Sequence, residues 1–214
     1  MDSLDFINDT RLRVDTNTVV FHSISELSTN HKADELIRRL SKFDESTYIH
    51  CYNVAKLSVA IGIRLNFNTE DLQDLFKAGL FHDVGKMGIG IAIINKKGKL
   101  TKDEYIKMQR HSFIGYSLLK GLGFSKAVYT GVLEHQEKWS GLGYPEGKKG
   151  ESISLFGRIL AIADVFDALT SERPYHNAMT PKEAITYMWS TNDFDRQILK
   201  KFIEIVNLEN QMVV

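Results

Sequence analysis

Proline is absent from the first 144 residues of this chain and occurs only at 145, 174 and 181. Nothing in that long stretch carries the residue that most strongly breaks a helix. Most of it repeats apolar residues at helical spacing, so the fold class is predicted to be all-α. Leu36, Ile37, Leu40 and Phe43 mark one helix, beginning near residue 32. His50, Val54, Leu57, Ile61 and Leu65 recur at i, i+4, i+7, i+11 and i+15, an apolar stripe that includes a histidine. Leu72, Leu75, Gly79 and His82 form a second stripe ending in a histidine, with Thr69 as its expected N-cap and Glu70 and Asp71 behind it. Thr101-Lys102-Asp103-Glu104 resembles a capping box opening a helix that carries His111. Further helices are expected over 124–134, 154–170, 181–190 and 195–207. Residues 11–27 are the exception. Two β-rich runs flank Asp15-Thr16-Asn17, which reads as a short hairpin or a loose extension.

A chain of 214 residues with 43% hydrophobic and 25% charged side chains is sized for one buried core with a small appendage. No long linker divides it, and neither a repeat nor a low-complexity segment appears. Its 27 basic and 27 acidic residues cancel, which gives no support for binding a nucleic-acid polymer or a membrane surface. No apolar run approaches the ~20 residues that span a bilayer. The N-terminus lacks the pattern of a secretory signal, and the lone Cys51 fits a reducing compartment. Cytoplasmic location is the expectation, without membrane insertion.

Chemistry concentrates in a few positions. His50, His82, His111 and His135 stand on the inner faces or at the ends of predicted helices, beside Asp83 and Asp164. One histidine on an apolar stripe is usually a satisfied core residue. A core seldom takes four of them plus two carboxylates unless they compensate one another or bind a cation. Imidazoles and carboxylates suit Fe, Mn, Co, Ni or Zn at hydrolytic sites. A single cysteine cannot build a thiolate zinc site. Asp83 has two oxygens and can bridge two metals, the arrangement of two-metal phosphoester chemistry. Lys86 is either a surface lysine or a partner for a phosphate oxygen. Arg173 offers a fork matched to phosphate. Tyr144, Trp139 and Tyr175 are candidates either for stacking on a base or for ordinary packing. The glycines at 141, 143, 147 and 150, with Lys148 and Lys149, read as a flexible loop beside the site.

These residues resemble a family. His82-Asp83-Val84-Gly85-Lys86 looks like the HDxGK signature of HD-domain phosphohydrolases. Residues 135–145, ending in Gly143-Tyr144-Pro145, resemble the HHExxxGxGYP signature of the HD-GYP subfamily. The likeness extends over about residues 44–207, taking in 94–101, the helix with His111, 158–179 and Asp193-Phe194-Asp195. It divides the chain into an N-terminal extension of unknown role, 1–40, and an HD-GYP domain, 41–214. It implies an HD-type helical bundle that hydrolyses cyclic di-GMP to linear pGpG, and in some members on to GMP, by attack of a metal-bridged hydroxide. The implied ligands are His50, His82, Asp83, His111, His135 and Asp164, holding two divalent metals, Fe or Mn first, with Ni, Co or Zn as alternatives. Asp83 and Lys86 would be the catalytic residues. Lys86, Arg173, His176 and Tyr144 would contact substrate, and Asp167 would orient the ligands from behind. The family also implies a GGDEF-type or other signalling partner on the loop that carries Tyr144.

Four positions depart from the family pattern. Gln136 replaces the second histidine of the HHE triplet, a metal ligand in the family. Ser46 stands where three-metal members carry glutamate, so no third metal is expected. Gly90 replaces a proline, and His176 replaces a basic residue. These departures keep two alternatives beside the phosphodiesterase reading. One is a weak or inactive cyclic-dinucleotide sensor or interaction module, and the other is a phosphodiesterase for a different cyclic dinucleotide.

Overall fold

The structure, a computed structural model, describes residues 3–7, 9–172 and 178–206. Among them the regular elements are all helical, as expected. The α-helices are α1 (Thr10–Thr29), α2 (His31–Phe43), α3 (Glu45–Arg64), α4 (Thr69–Phe81), α5 (Ile91–Ile94), α6 (Lys102–Gln109), α7 (His111–Gly121), α8 (Lys126–Glu134), α9 (Leu155–Thr170), α10 (Pro181–Ser190) and α11 (Arg196–Val206). None is long and apolar enough to cross a membrane.

The centre of the bundle is α3. Val54, Ala55, Leu57, Val59, Ala60 and Ile61 are all buried, so the helix has almost no solvent face past its first turns. It packs on α4, α9, α1, α2 and α11. Its approach to α4 is close: a Cβ on Gly79 would lie 2.5 Å from the Ala55 Cα, so only glycine fits there. Behind α9 the rings of Phe166 and Phe202 meet edge to face at 4.8 Å. Each is fully buried, a contribution of roughly 1.5–3 kcal/mol.

The hairpin or extension expected over 11–27 is instead the helix α1. Leu12, Thr16, Val20, Ser23 and Leu27 are buried along one face, and α1 packs on α3 and α4. Burial of that face overrides the strand preference of its β-branched residues. Asp9 caps it, accepting from the Leu12 amide at 3.0 Å. Leu12, Val20 and Leu27 share one core with α3, and α2 runs continuously across residue 40.

Two local expectations also shift. Asn68, not Thr69, caps α4, with its side chain accepting from the Asp71 amide at 2.9 Å. The capping box at Thr101 and Glu104 is present, but its helix ends at Gln109. Arg110 caps it, and His111 opens a second helix.

Candidate metal centre

Six side chains from five elements converge. His50 comes from the first half of α3, His82 from the end of α4 and Asp83 from the turn after it. His111 opens α7, His135 caps α8 and Asp164 lies in α9. All are buried except Asp164, which is partly so.

Helix ends position three of the imidazoles. The Nδ1 atoms of His82, His111 and His135 lie 2.8, 2.7 and 2.7 Å from the carbonyls of Gly79, Met108 and Val132. A carbonyl only accepts, so each Nδ1 carries a hydrogen and each Nε2 is turned inward. His50 is braced by a side chain, its Nδ1 lying 2.6 Å from Asp167 Oδ2.

Asp83 divides its oxygens between two groups. Its Oδ2 is 3.3 Å from His82 Nε2 and 3.9 Å from His50 Nε2. Its Oδ1 is 3.4 Å from His111 Nε2 and 4.0 Å from His135 Nε2. Asp164 Oδ1 completes the first group, 3.0 Å from His50 Nε2 and 3.9 Å from His82 Nε2. His50, His82 and Asp164 can therefore hold one cation, and Asp83, His111 and His135 another.

Three observations test whether these residues fit metal. His82 Nε2 and Asp83 Oδ1 are buried without a hydrogen-bond partner, an arrangement proteins avoid unless something else satisfies the atoms. The Nε2 atoms of His111 and His135 face each other at 3.2 Å. With both hydrogens on Nδ1 two lone pairs collide, and a cation between them relieves this. Burial, followed by the charges of His82 and His111, pushes the His135 pKa down to about 3. Burial also lowers that of His111, against the opposing pull of Asp83. Both rings stay neutral, as ligands must. The donor set fits divalent transition metals.

The first group carries more charge. Burial works to lower the His50 pKa, but its hydrogen bonds to Asp164 and Asp167 prevail and raise it. Burial works to raise the pKa of Asp83, but Lys86 and His82 hold it well below the usual carboxylate range. Lys86 Nζ is 2.5 Å from Asp83 Oδ2, with its side chain 24% exposed, so an ammonium stands at the rim of the buried carboxylate.

The other expected residues distribute as follows. Gln136 donates from Nε2 to Asp164 Oδ2 at 3.0 Å. Tyr144 is half-buried, its ring 6.2 Å from that of His111 and 6.5 Å from that of Tyr105. Trp139 packs under the Arg158 guanidinium at 5.8 Å. Arg173, Tyr175 and His176 lie outside the described residues. Ser46 is exposed and donates to Asp44 Oδ2 at 2.6 Å. Gly90 has φ 98°, a conformation closed to the proline it replaces.

The loop read as flexible is held at its base. Buried Glu134 accepts from Lys148 Nζ at 2.5 Å and from the Ser154 amide at 2.6 Å. Glu137 accepts from the Glu146 amide at 2.7 Å, and the Tyr144 amide donates to the Gln136 carbonyl at 3.1 Å. Lys148 also pairs with Glu146, so it is committed within the loop. Glu134 and Glu137 were not singled out from the sequence, although two acids flanking a His-Gln pair were the available signal. The buried Cys51 thiol stands within 4.8 Å of donor atoms of His82 and Asp83. A cavity of about 130 Å³ opens beside the centre, lined in part by Gln136, Asp164, Tyr187 and Asp193.

Fold and site together define an all-helical domain built around a buried His/Asp centre able to hold cations. The HD domain family profile matches residues 25–198. The chain belongs to the HD-domain family, of HD-GYP type. A cyclic di-GMP phosphodiesterase of Pseudomonas aeruginosa is 38% identical over 79% of this chain and 42% of its own length. The cyclic di-GMP phosphodiesterase response regulator RpfG of Xanthomonas campestris is 37% identical over 72% and 42%. A 3'3'-cGAMP-specific phosphodiesterase of Vibrio cholerae is 39% identical over 66% and 33%. Among solved structures, a cyclic GMP-AMP-specific phosphodiesterase of Vibrio cholerae superposes with TM-score 0.58 at 25% identity, covering 75% of this chain and 44% of that one. An HDGYP protein of Bdellovibrio bacteriovorus shares the fold, with TM-score 0.63 at 18% identity over 75% and 52%. The chain spans about two-fifths of the length of the first two relatives.

Proposed function

We propose that this chain is a metal-dependent cyclic-dinucleotide phosphodiesterase that opens cyclic di-GMP to linear pGpG. Water adds to one phosphorus and the P–O3′ bond breaks, leaving a 5′-phosphate and a free 3′-hydroxyl. The observation that carries the reading is the division of Asp83, with one oxygen toward His50 and His82 and the other toward His111 and His135. That is the geometry of a carboxylate shared by two cations. His50, His82, Asp83 and Asp164 would hold one metal, and Asp83, His111 and His135 the other, with Fe or Mn the preferred pair and no third. Such metals lower the pKa of a bound water and neutralise phosphoryl oxygens.

The protein's own groups supply the rest. Asp167 and the helix-end carbonyls fix which nitrogen of each imidazole carries its proton. Lys86 keeps its positive charge at the rim, where it meets an incoming phosphate oxygen. Arg173 and His176 would take the second phosphate, and Tyr144 would border the bound nucleotide. The HD-GYP domain is assigned to 41–214, with α1 packed on it. The exposed loop tip at Leu142 is the candidate docking point for a GGDEF-type or other signalling protein. Purified protein loaded with Mn or Fe should convert cyclic di-GMP to pGpG, followed by chromatography. Intact substrate after hours at full metal loading rejects the proposal. A panel containing 3'3'-cGAMP and cyclic di-AMP separates it from a phosphodiesterase of other specificity.

The hydrogen bond from Gln136 to Asp164 favours a second reading. Without a seventh strong donor at position 136, the domain would act as a cyclic-dinucleotide sensor of slow turnover. Calorimetry that shows no nucleotide binding, with or without metal, excludes it.

A further inference from the structure

We propose that Gln136 is a positioning residue for Asp164, and that the two halves of the centre hold cations unequally, tightly at His50–His82–Asp164 and weakly at His111–His135. This rests on the reading of the site as a two-metal centre.

The contact itself sets the orientation of the amide. Asp164 Oδ2 can only accept, so at 3.0 Å the Gln136 NH2 group faces it. The two oxygens of Asp164 are thereby separated in role. Oδ2 is pinned by Gln136, and Oδ1 is presented to His50 at 3.0 Å and to His82 at 3.9 Å. Each donor of this half has a partner outside it: His50 has Asp167, His82 the Gly79 carbonyl, Asp164 Gln136, and Asp83 Oδ2 the Lys86 ammonium.

The other half is poorer. Its imidazoles are also braced, by Met108 and Val132, but among the described residues its only carboxylate oxygen is Asp83 Oδ1. The first half has Asp164 and Asp83 Oδ2 for one cation. A divalent ion follows negative charge, so the half with two carboxylates binds first. Gln136 widens the difference. Its amide hydrogen is spent on Asp164, and what remains is a neutral oxygen, a weaker donor to a transition metal than imidazole. The glutamine serves the frame of the first half and offers the second no imidazole.

Metal-free full-length protein titrated with Mn2+ tests this. Calorimetry gives the heats, and the electron paramagnetic resonance signal of unbound Mn2+ gives the stoichiometry. Wild type should bind two equivalents whose Kd values differ by about tenfold or more, as loss or gain of such a shell alters affinity by about 10–100-fold. Gln136→Leu should weaken the tight equivalent by about 10–100-fold and leave the weak one unchanged. Gln136→Met, which keeps the shape and removes the donor, should do the same and stands in if the leucine variant fails to fold. Gln136→His, which adds an imidazole and gives up the amide donor, should tighten the weak equivalent and loosen the tight one. Two equal equivalents in wild type overturn the inequality. A leucine or methionine variant that alters only the weak equivalent, or neither, overturns the positioning role. Wild type that binds no Mn2+ overturns instead the two-metal reading beneath both.

Discussion

Three imidazoles at the ends or starts of helices contrast with one inside a helix. His82, His111 and His135 each give Nδ1–H to a main-chain carbonyl three residues earlier. His50, in α3, relies on Asp167, 117 residues away on α9. The first arrangement is local and cannot be altered by changing a neighbouring side chain. The second exists only when α3 and α9 are docked, and a single substitution removes it. Two routes lead to one geometric result, a ring whose Nδ1 is held from behind and whose Nε2 is aimed inward. They differ in what each leaves vulnerable.

Removing the group common to both arms should have the largest effect. Asp83→Ala deletes the carboxylate whose two oxygens are divided among the four imidazoles. Metal analysis should show loss at both positions, with hydrolysis of cyclic di-GMP down by at least about 100-fold. Retention of one full metal equivalent would show that the halves do not depend on a bridge. Asp167→Ala separates the arms. It should weaken metal binding about 10–100-fold at the His50 half alone. Equal loss at both halves would break the contrast drawn above. Gly85→Ala strikes the opposite arm through the backbone, because a Cβ there would lie 1.9 Å from the His111 carbonyl oxygen and 2.7 Å from the Gly115 amide. Thermal unfolding should show about 1–3 kcal/mol of lost stability, or more if the turn cannot shift.

The smallest effect should lie at the cap of α6, the helix whose Met108 carbonyl holds His111. Lys96, with the Thr101 amide, brings the Glu104 pKa down to about 2 from 4.5. A depressed carboxylate stabilises the fold above its unfolded value, so this contribution begins to fall below about pH 4.5 and is gone near pH 2. Glu104→Gln should flatten that part of the melting-temperature profile and leave the neutral range almost unchanged. An unaltered acid limb would mean that Glu104 is not tied to Lys96 in solution.

The centre was more legible in the sequence than the frame around it. The stripe that begins at His50, the one that ends at His82, the adjacent Asp83, and Asp164 within an apolar helix all name residues that the structure brings together. Motif and period coincide there, since a ligand must sit on a buried face. The brace of His50 by Asp167 was expected only from the family resemblance, because nothing local links positions 117 apart. The first helix was misread because Thr16 and Ser23 lie on its buried face. Polar residues in the stripe hide the period that burial makes plain. The break at Arg110 was hidden for another reason. Residues 102–121 contain no proline, and the only glycines, 115 and 121, lie beyond the break, so the turn between α6 and α7 has no breaker to announce it. The loop after His135 looked mobile because glycine and lysine are counted as flexible and solvated. A buried glutamate that staples both arms of the loop leaves no mark in composition.

That staple has a practical consequence. Glu134 fastens Lys148 and the Ser154 amide one residue before His135, while the tip at Leu142 is 82% exposed. The backbone on either side of that tip is nonetheless tied to the base, since a Cβ on Gly143 would lie 2.5 Å from the Gln136 carbonyl oxygen. The Leu142 side chain, which faces solvent, can therefore be exchanged for a reporter-bearing residue without moving His135, whereas added residues there would pull on Gly143.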